Sequence, residues 1–212
     1  MTFRERRSRP RGFLGYLFGS QAEYVKGLAP LFILCAIIFI SSMVFGYSSG
    51  TTLGLEALEE KLEFLPDMEG QSFVVVLLTF FVYIFFNNAV IGFMFMLLGL
   101  VFGVPPLLFL ALNGYMIGGV VSNLISEMGV AYTVAGLLPH GVLEISTIIL
   151  SSASGMSLGY SVMWRLRGRS GIRSELGRAV RLYMTRIVPF LLLAASIEVT
   201  ITPLLGLIFG LS

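Results

Sequence analysis

Long apolar stretches dominate the chain, and only short polar stretches separate them. A helix needs about 20 apolar residues to cross the hydrocarbon core of a bilayer. The pattern therefore predicts an all-α fold, a polytopic transmembrane helical bundle of about five spans that forms a single membrane domain over residues 27–212. The predicted spans are 27–47, 72–100, 106–126, 130–163 and 187–207.

The fourth apolar stretch is longer than one crossing requires, and Pro139 and Gly141 interrupt it. Proline removes a backbone donor and glycine weakens a helix. We therefore predict one broken or kinked helix around Pro139–Gly141: either a kink or a short re-entrant piece that ends before His140. Gly99, Gly103 and Pro105 mark a tight turn between the second and third spans.

The composition supports the assignment to a membrane. Of 212 residues, 56% are hydrophobic and 12% are charged, whereas soluble domains carry about 25% charged residues. The single cysteine, Cys35, excludes an intramolecular disulfide and a cysteine-rich metal site.

The basic residues are segregated into two segments. One is the N-terminal segment 1–26, and the other is the arginine-rich segment 164–186. The positive-inside rule places both segments in the cytoplasm. With five crossings, a multi-pass protein of the cell membrane results, with its N-terminus cytoplasmic and its C-terminus outside. Topology and anionic lipid headgroups account for the arginines, so nucleic acid is not an expected partner.

The segment between the first two spans, 48–71, is acidic and amphipathic. It carries six acids against Lys61, and leucines recur in it at helical spacing. We predict an outer helix that covers its own bundle; capping a dimer and receiving a partner protein are the alternatives.

The only histidine, His140, precedes Glu144 by four residues, and Glu144 is the sole acid between Gly129 and Trp164. Residues four apart share a helix face. A charged side chain at this depth costs roughly 2.5–3.5 kcal/mol, which indicates a functional site. Because His and Glu at this spacing can both ligate zinc, a divalent metal such as zinc is one candidate ligand of His140 and Glu144.

Further polar residues are candidates for the same ligand or ion site. Counting along the predicted spans places one asparagine of the second span, Asn113 and Glu144 about 8–10 Å from the inner edge, and Glu198 near mid-membrane. Interhelical hydrogen bonding without function is the alternative for the asparagines. The candidates are Asn87, Asn88, Asn113 and Glu198.

Small residues indicate close helix packing. Gly114 and Gly118 form a small-xxx-small face of the kind that lets helices approach. Together with Pro139 and Gly141 they are the backbone positions that we expect to shape the bundle. No nucleophile motif surrounds the serines, so no catalytic residue is assigned.

Three elements carry a family resemblance: Asn87-Asn88, the stretch Leu112-Asn113-Gly114-Tyr115-Met116-Ile117-Gly118, and Leu138-Pro139-His140-Gly141-Val142-Leu143-Glu144. In this order the chain resembles the stage II sporulation protein M family of integral membrane proteins, over most of its length. In spore-forming bacteria such proteins act with two peptidoglycan-degrading partners at the septal membrane. The resemblance therefore implies an anchor or scaffold, with membrane or cell-envelope protein partners, and not a hydrolase.

The hypotheses from the sequence are ordered accordingly. The first is a scaffold or channel-like component of a membrane complex, non-enzymatic and homo-oligomeric, with a buried His/Glu/Asn site. The second is a small transporter or permease subunit. The third is a metal-dependent intramembrane hydrolase, which requires zinc with an open coordination position.

Overall fold

The computed structural model describes residues 13–63, 70–167 and 171–209. These residues form helices and contain no strand, so the all-α prediction is confirmed. Parts of the predicted N-terminal segment (1–12), acidic loop (64–69), arginine-rich segment (168–170) and C-terminus (210–212) lie outside the described residues. The helices are α1 (Phe13–Ser49), α2 (Leu53–Glu63), α3 (Phe73–Leu98), α4 (Val104–Leu166), α5 (Ile172–Leu182) and α6 (Val188–Phe209), with a π-helical turn, Tyr183–Ile187, between α5 and α6.

Within the described residues, four helical stretches are long and apolar enough to cross a membrane. Two of them extend beyond the predicted spans. The helix that contains the first span begins at Phe13, and the last stretch begins at Ile172, inside the arginine-rich segment. The four stretches are Gln21–Ser49, Phe73–Leu98, Val104–Leu166 and Ile172–Ile201.

Helix α4 is a hairpin of two helical arms. Gly129 leaves helical geometry, with φ of 83° and ψ of 165°, a combination that is essentially restricted to glycine. The backbone of Gly103 lies against Gly159, and the Pro106 ring lies against Gly155, so the two arms run in opposite directions. The first arm (104–128) and the second arm (130–166) therefore cross the membrane separately, which makes five crossings.

The discontinuity predicted around Pro139–Gly141 is wrong in position. The second arm is helical through Pro139 and Gly141, and the backbone turns at Gly129 instead. Proline deprives only one carbonyl, that of Ala135, of its helical donor, and neighbouring helices in a membrane can compensate for such a loss. A reversal of direction requires the backbone angles that Gly129 adopts.

Two glycine pairs hold α3 and the arms of α4 together. A Cβ at Gly99 would overlap the backbone of Gly155, and a Cβ at Gly159 would overlap the backbone of Gly103. The turn 99–103 that joins α3 to α4 thus packs directly on the second arm. Gly103 also starts α4, at a φ of 74°.

Helix α1 packs along the first arm of α4 and runs in the same direction. Gly114 faces the Phe39 carbonyl, and Gly118 faces the Met43 carbonyl. Both predicted packing glycines therefore lie at this interface, where the absence of a side chain permits backbone contact.

The bundle has two chemically different ends. Arg165, Arg167, Arg173 and Arg178 cluster where α4 ends and α5 begins, and this end is called the basic end below. At the opposite end, α2 lies on the first arm of α4, with Gly54 against Met116 and Val120. Its acids Glu56, Glu59 and Glu60 are exposed.

Candidate functional site

Three acid-base side chains converge between α4 and α6. One ligand atom from each of His140, Glu144 and Glu198 lies within 4.8 Å of the others. His140 is 6% exposed, and both glutamates are half-buried. We call these three residues the carboxylate cluster.

The cluster arises from helix geometry in α4 and from packing of α6. His140 and Glu144 are four residues apart in the second arm, so both side chains leave the same helix face. Glu198 belongs to α6, whose Leu191, Ala194 and Ala195 are buried in the bundle. The small alanines let α6 approach, and this brings the second carboxylate to the first.

Asn88 of α3 joins the cluster through a hydrogen bond. Its amide Nδ2 donates to Glu144 Oε1 at 2.5 Å. Thr147, one turn after Glu144, donates its hydroxyl to the Glu144 carbonyl at 2.7 Å. Asn88 therefore orients one carboxylate oxygen and leaves the other for a different partner.

The remaining asparagine candidates lie apart from these contacts. Asn87 and Asn113 are half-buried, and neither side chain makes a hydrogen bond with a described residue. The helical level predicted for them is compatible with the cluster, but orientation separates them from it. Asn113 precedes Gly114, which faces α1 and not α6.

No basic side chain neutralises the two carboxylates. Among the described residues, neither Glu144 nor Glu198 forms an ion pair with an arginine or a lysine; the ion pair between Arg178 and Glu175 lies at the basic end. The Nδ1 atom of His140 is buried and has no hydrogen-bond partner in the described part of the chain. The cluster thus combines two acids and an orphaned ring nitrogen in an apolar surrounding.

This donor set fits a divalent transition metal. One imidazole and two carboxylates are ligands that zinc accepts, with bonds of about 2.0–2.2 Å, which corresponds to donor separations of roughly 3.3 Å in a tetrahedron. The donors at 4.8 Å would have to move together by about 1.5 Å, which small side-chain rotations can supply. Asn88 then corresponds to the outer hydrogen-bond donor that metal-ligating carboxylates commonly have.

Other potential metal ligands are elsewhere. Glu127 is exposed near the hairpin turn. Cys35 is fully buried and directs its sulfur to Met156 at 3.6 Å. His140, Glu144 and Glu198, with Asn88 outside them, are therefore the residues that could hold a metal in this arrangement.

The sequence analysis missed a second set of polar residues on the same helix face. Thr147, Ser151 and Ser154 follow Glu144 at spacings of three, four and three, and all are buried. Their period could have been recognised, because these spacings repeat one face of a helix. Hydroxyl residues are common in membrane helices as packing groups, so the pattern alone carried little weight.

The fold and the cluster define a polytopic helical membrane protein with a polar site inside its transmembrane region. Comparison with known proteins gives its family: the chain belongs to the stage II sporulation protein M family, which matches residues 22–203. A protein of Methanocaldococcus jannaschii described as uncharacterized is 24% identical over 175 residues, covering 81% of this chain and 93% of that protein. No solved structure matches the chain. The resemblance predicted from the sequence is therefore confirmed.

Proposed function

We propose that this protein is the membrane-embedded component of a cell-envelope complex and that its bundle holds a divalent cation of the zinc class at His140, Glu144 and Glu198. The observation that carries the proposal is the convergence of these three side chains within 4.8 Å, without a basic partner.

Electrostatics favours a bound cation. Transfer of an ionised carboxylate into an apolar medium is costly unless the charge is paired or coordinates a metal. Two carboxylates in contact repel each other as well. A divalent cation neutralises both at once, and it takes the lone pair of the imidazole as a third ligand.

The cation would stabilise the packing of three helices. Two ligands come from α4 and one from α6, while Asn88 connects the cluster to α3. A metal at this position therefore supports a scaffold role, because it holds the helices in one arrangement. The exposed acids of α2 provide a surface for a basic partner at the opposite end.

The test is elemental analysis of the purified protein in detergent, beside His140→Ala. The matched control is Asn113→Ala, which removes a half-buried polar group of α4 outside the cluster. We expect about one metal ion per chain in the wild type and in Asn113→Ala, and loss of metal in His140→Ala. Absence of metal from the wild type after purification with added zinc would refute the cation site.

A small transporter is the second candidate function. It is supported by the buried hydroxyl residues that continue from Glu144 toward the basic end. Hydrolysis has less support: three protein ligands leave a coordination position open, as in catalytic zinc sites, but His140 is 6% exposed.

The orientation proposed for the chain places the basic end in the cytoplasm. Five crossings then place the C-terminus on the other side. Single cysteines at Gly177 and Gly50, in a Cys35→Ser background, would test this orientation in intact cells. An impermeant thiol reagent should label the cysteine at 50 and not the one at 177; the reverse pattern would refute the orientation.

A further inference from the structure

A line of hydroxyl groups leads from the carboxylate cluster toward the basic end. Thr147, Ser151 and Ser154 occupy successive turns of the second arm of α4, on the face that carries Glu144. Their exposed fractions are 4%, 0% and 0%. We call these three residues the hydroxyl line.

Ser151, in the middle of the line, has no hydrogen-bond partner in the described part of the chain. Buried polar groups are normally paired, and one that is not requires an explanation. Serine in a membrane helix usually donates to the carbonyl one turn earlier, as Ser146 does to Val142 at 2.6 Å. Ser151 therefore retains a free hydroxyl oxygen inside the bundle.

The wall opposite Ser151 is a glycine of α3. A Cβ at Gly92 would lie 3.3 Å from Ser151 Oγ and 3.6 Å from the Tyr183 ring. Tyr183 directs its hydroxyl away from Ser151, as a donor to the Ala89 carbonyl. No side chain of α3 thus separates Ser151 from α3 at this level.

The line ends at a second buried acid. The Ser154 hydroxyl is 3.3 Å from the Tyr24 hydroxyl of α1. One turn further, Ser157 donates to Glu175 of α5, which also pairs with Arg178. Glu175 is 5% exposed, whereas the Arg178 side chain is 56% exposed and lies over the Tyr24 ring.

The arrangement is that of a route for a cation. An acid lies at each end, Glu175 and Glu144, and neutral hydroxyl oxygens lie between them. Hydroxyl and carboxylate oxygens are ligands for divalent cations, and buried polar residues in membrane helices mark ion pathways. Arg178 occupies the carboxylate at the basic end and can swing into solvent, because most of its side chain is exposed.

We propose that the hydroxyl line is the route by which a divalent cation exchanges between the carboxylate cluster and the basic end, with the Glu175–Arg178 pair as its entrance. This inference rests on the proposed function, since it requires a cation at the cluster. It adds the direction of access and the residues that control its rate.

The experiment measures exchange of bound radioactive zinc for excess unlabelled zinc in the purified protein in nanodiscs. Gly92→Ala narrows the line with one methyl group, and Ser151→Ala removes its central oxygen without adding volume. The controls are Gly141→Ala, whose Cβ meets nothing within 4 Å, and Ser146→Ala, whose hydroxyl is exposed. All four positions lie outside the proposed ligands.

We expect both test variants to bind the same amount of zinc as the wild type and to exchange it at least tenfold more slowly, with both controls unchanged. Equal exchange rates in wild type and in Ser151→Ala would overturn the route while leaving the cation site intact. A wild type that binds no zinc would instead overturn the site, and the route with it. Ser151→Ala keeps the test readable if Gly92→Ala does not fold.

Discussion

The amide of Asn88 donates a hydrogen bond of 2.5 Å to Glu144 Oε1 and thereby joins α3 to the second arm of α4. The bond connects residues 56 positions apart in the chain. Hydrogen bonds to charged acceptors are stronger than neutral ones, and this bond determines which Glu144 oxygen faces His140 and Glu198. The neighbouring Asn87, on the same helix, makes no such contact with the described residues.

Replacement of Asn88 by alanine should weaken metal binding. Loss of an outer hydrogen bond to a ligand typically lowers metal affinity by about 10–100-fold. Asn87→Ala is the matched control, since it removes the same side chain from the adjacent position. Competition with a chelator of known affinity measures the difference, and equal affinities in the two variants would contradict the role of Asn88.

Replacement of Glu198 by glutamine should abolish stoichiometric metal binding, because glutamine lacks the charge of the carboxylate that it replaces. In the presence of a chelator, the variant should unfold at the same temperature as the wild type or higher, since one of two adjacent buried acids is gone. Thermal unfolding in detergent, with and without zinc, tests both statements. Glu127→Gln, an exposed acid near the hairpin turn, should match the wild type in both conditions.

Alanine at Gly99 or Gly155 should destabilise the bundle. The added methyl group would overlap the backbone of the opposing helix, and overpacking typically costs about 1–3 kcal/mol. Gly27→Ala, where a Cβ meets nothing within 4 Å, is the control and should be neutral or slightly stabilising. Equilibrium unfolding in mixed micelles gives the comparison, and wild-type stability for both variants would contradict the packing.

The hairpin turn separates two further substitutions. Gly129→Ala should cost about 1–3 kcal/mol, because alanine is strained at the backbone angles of Gly129 although space is available. Pro139→Ala should be neutral or stabilising, because it restores a helical donor in a continuous helix. Unfolding measurements that showed the opposite order would place the break at Pro139.

Much of the fold follows from local sequence properties. Apolar length determines which segments can cross a membrane, and this depends on each segment alone. The turn between α3 and α4 was also predictable, since Gly99, Gly103 and Pro105 interrupt an apolar run. The hairpin turn of α4 was not, because Gly129 and Gly141 look alike in sequence. Only the packing of the two arms shows which glycine reverses the chain.

For the site, the sequence by itself determined that His140 and Glu144 share a helix face, because four-residue spacing is a property of one helix. It could not determine which residues of other helices join them. Asn88 and Glu198 do, and Asn87 and Asn113 do not, because helix rotation and approach depend on side-chain packing between distant segments. Tertiary structure alone decided that two acids meet without a basic partner, and the proposed cation site depends on that meeting.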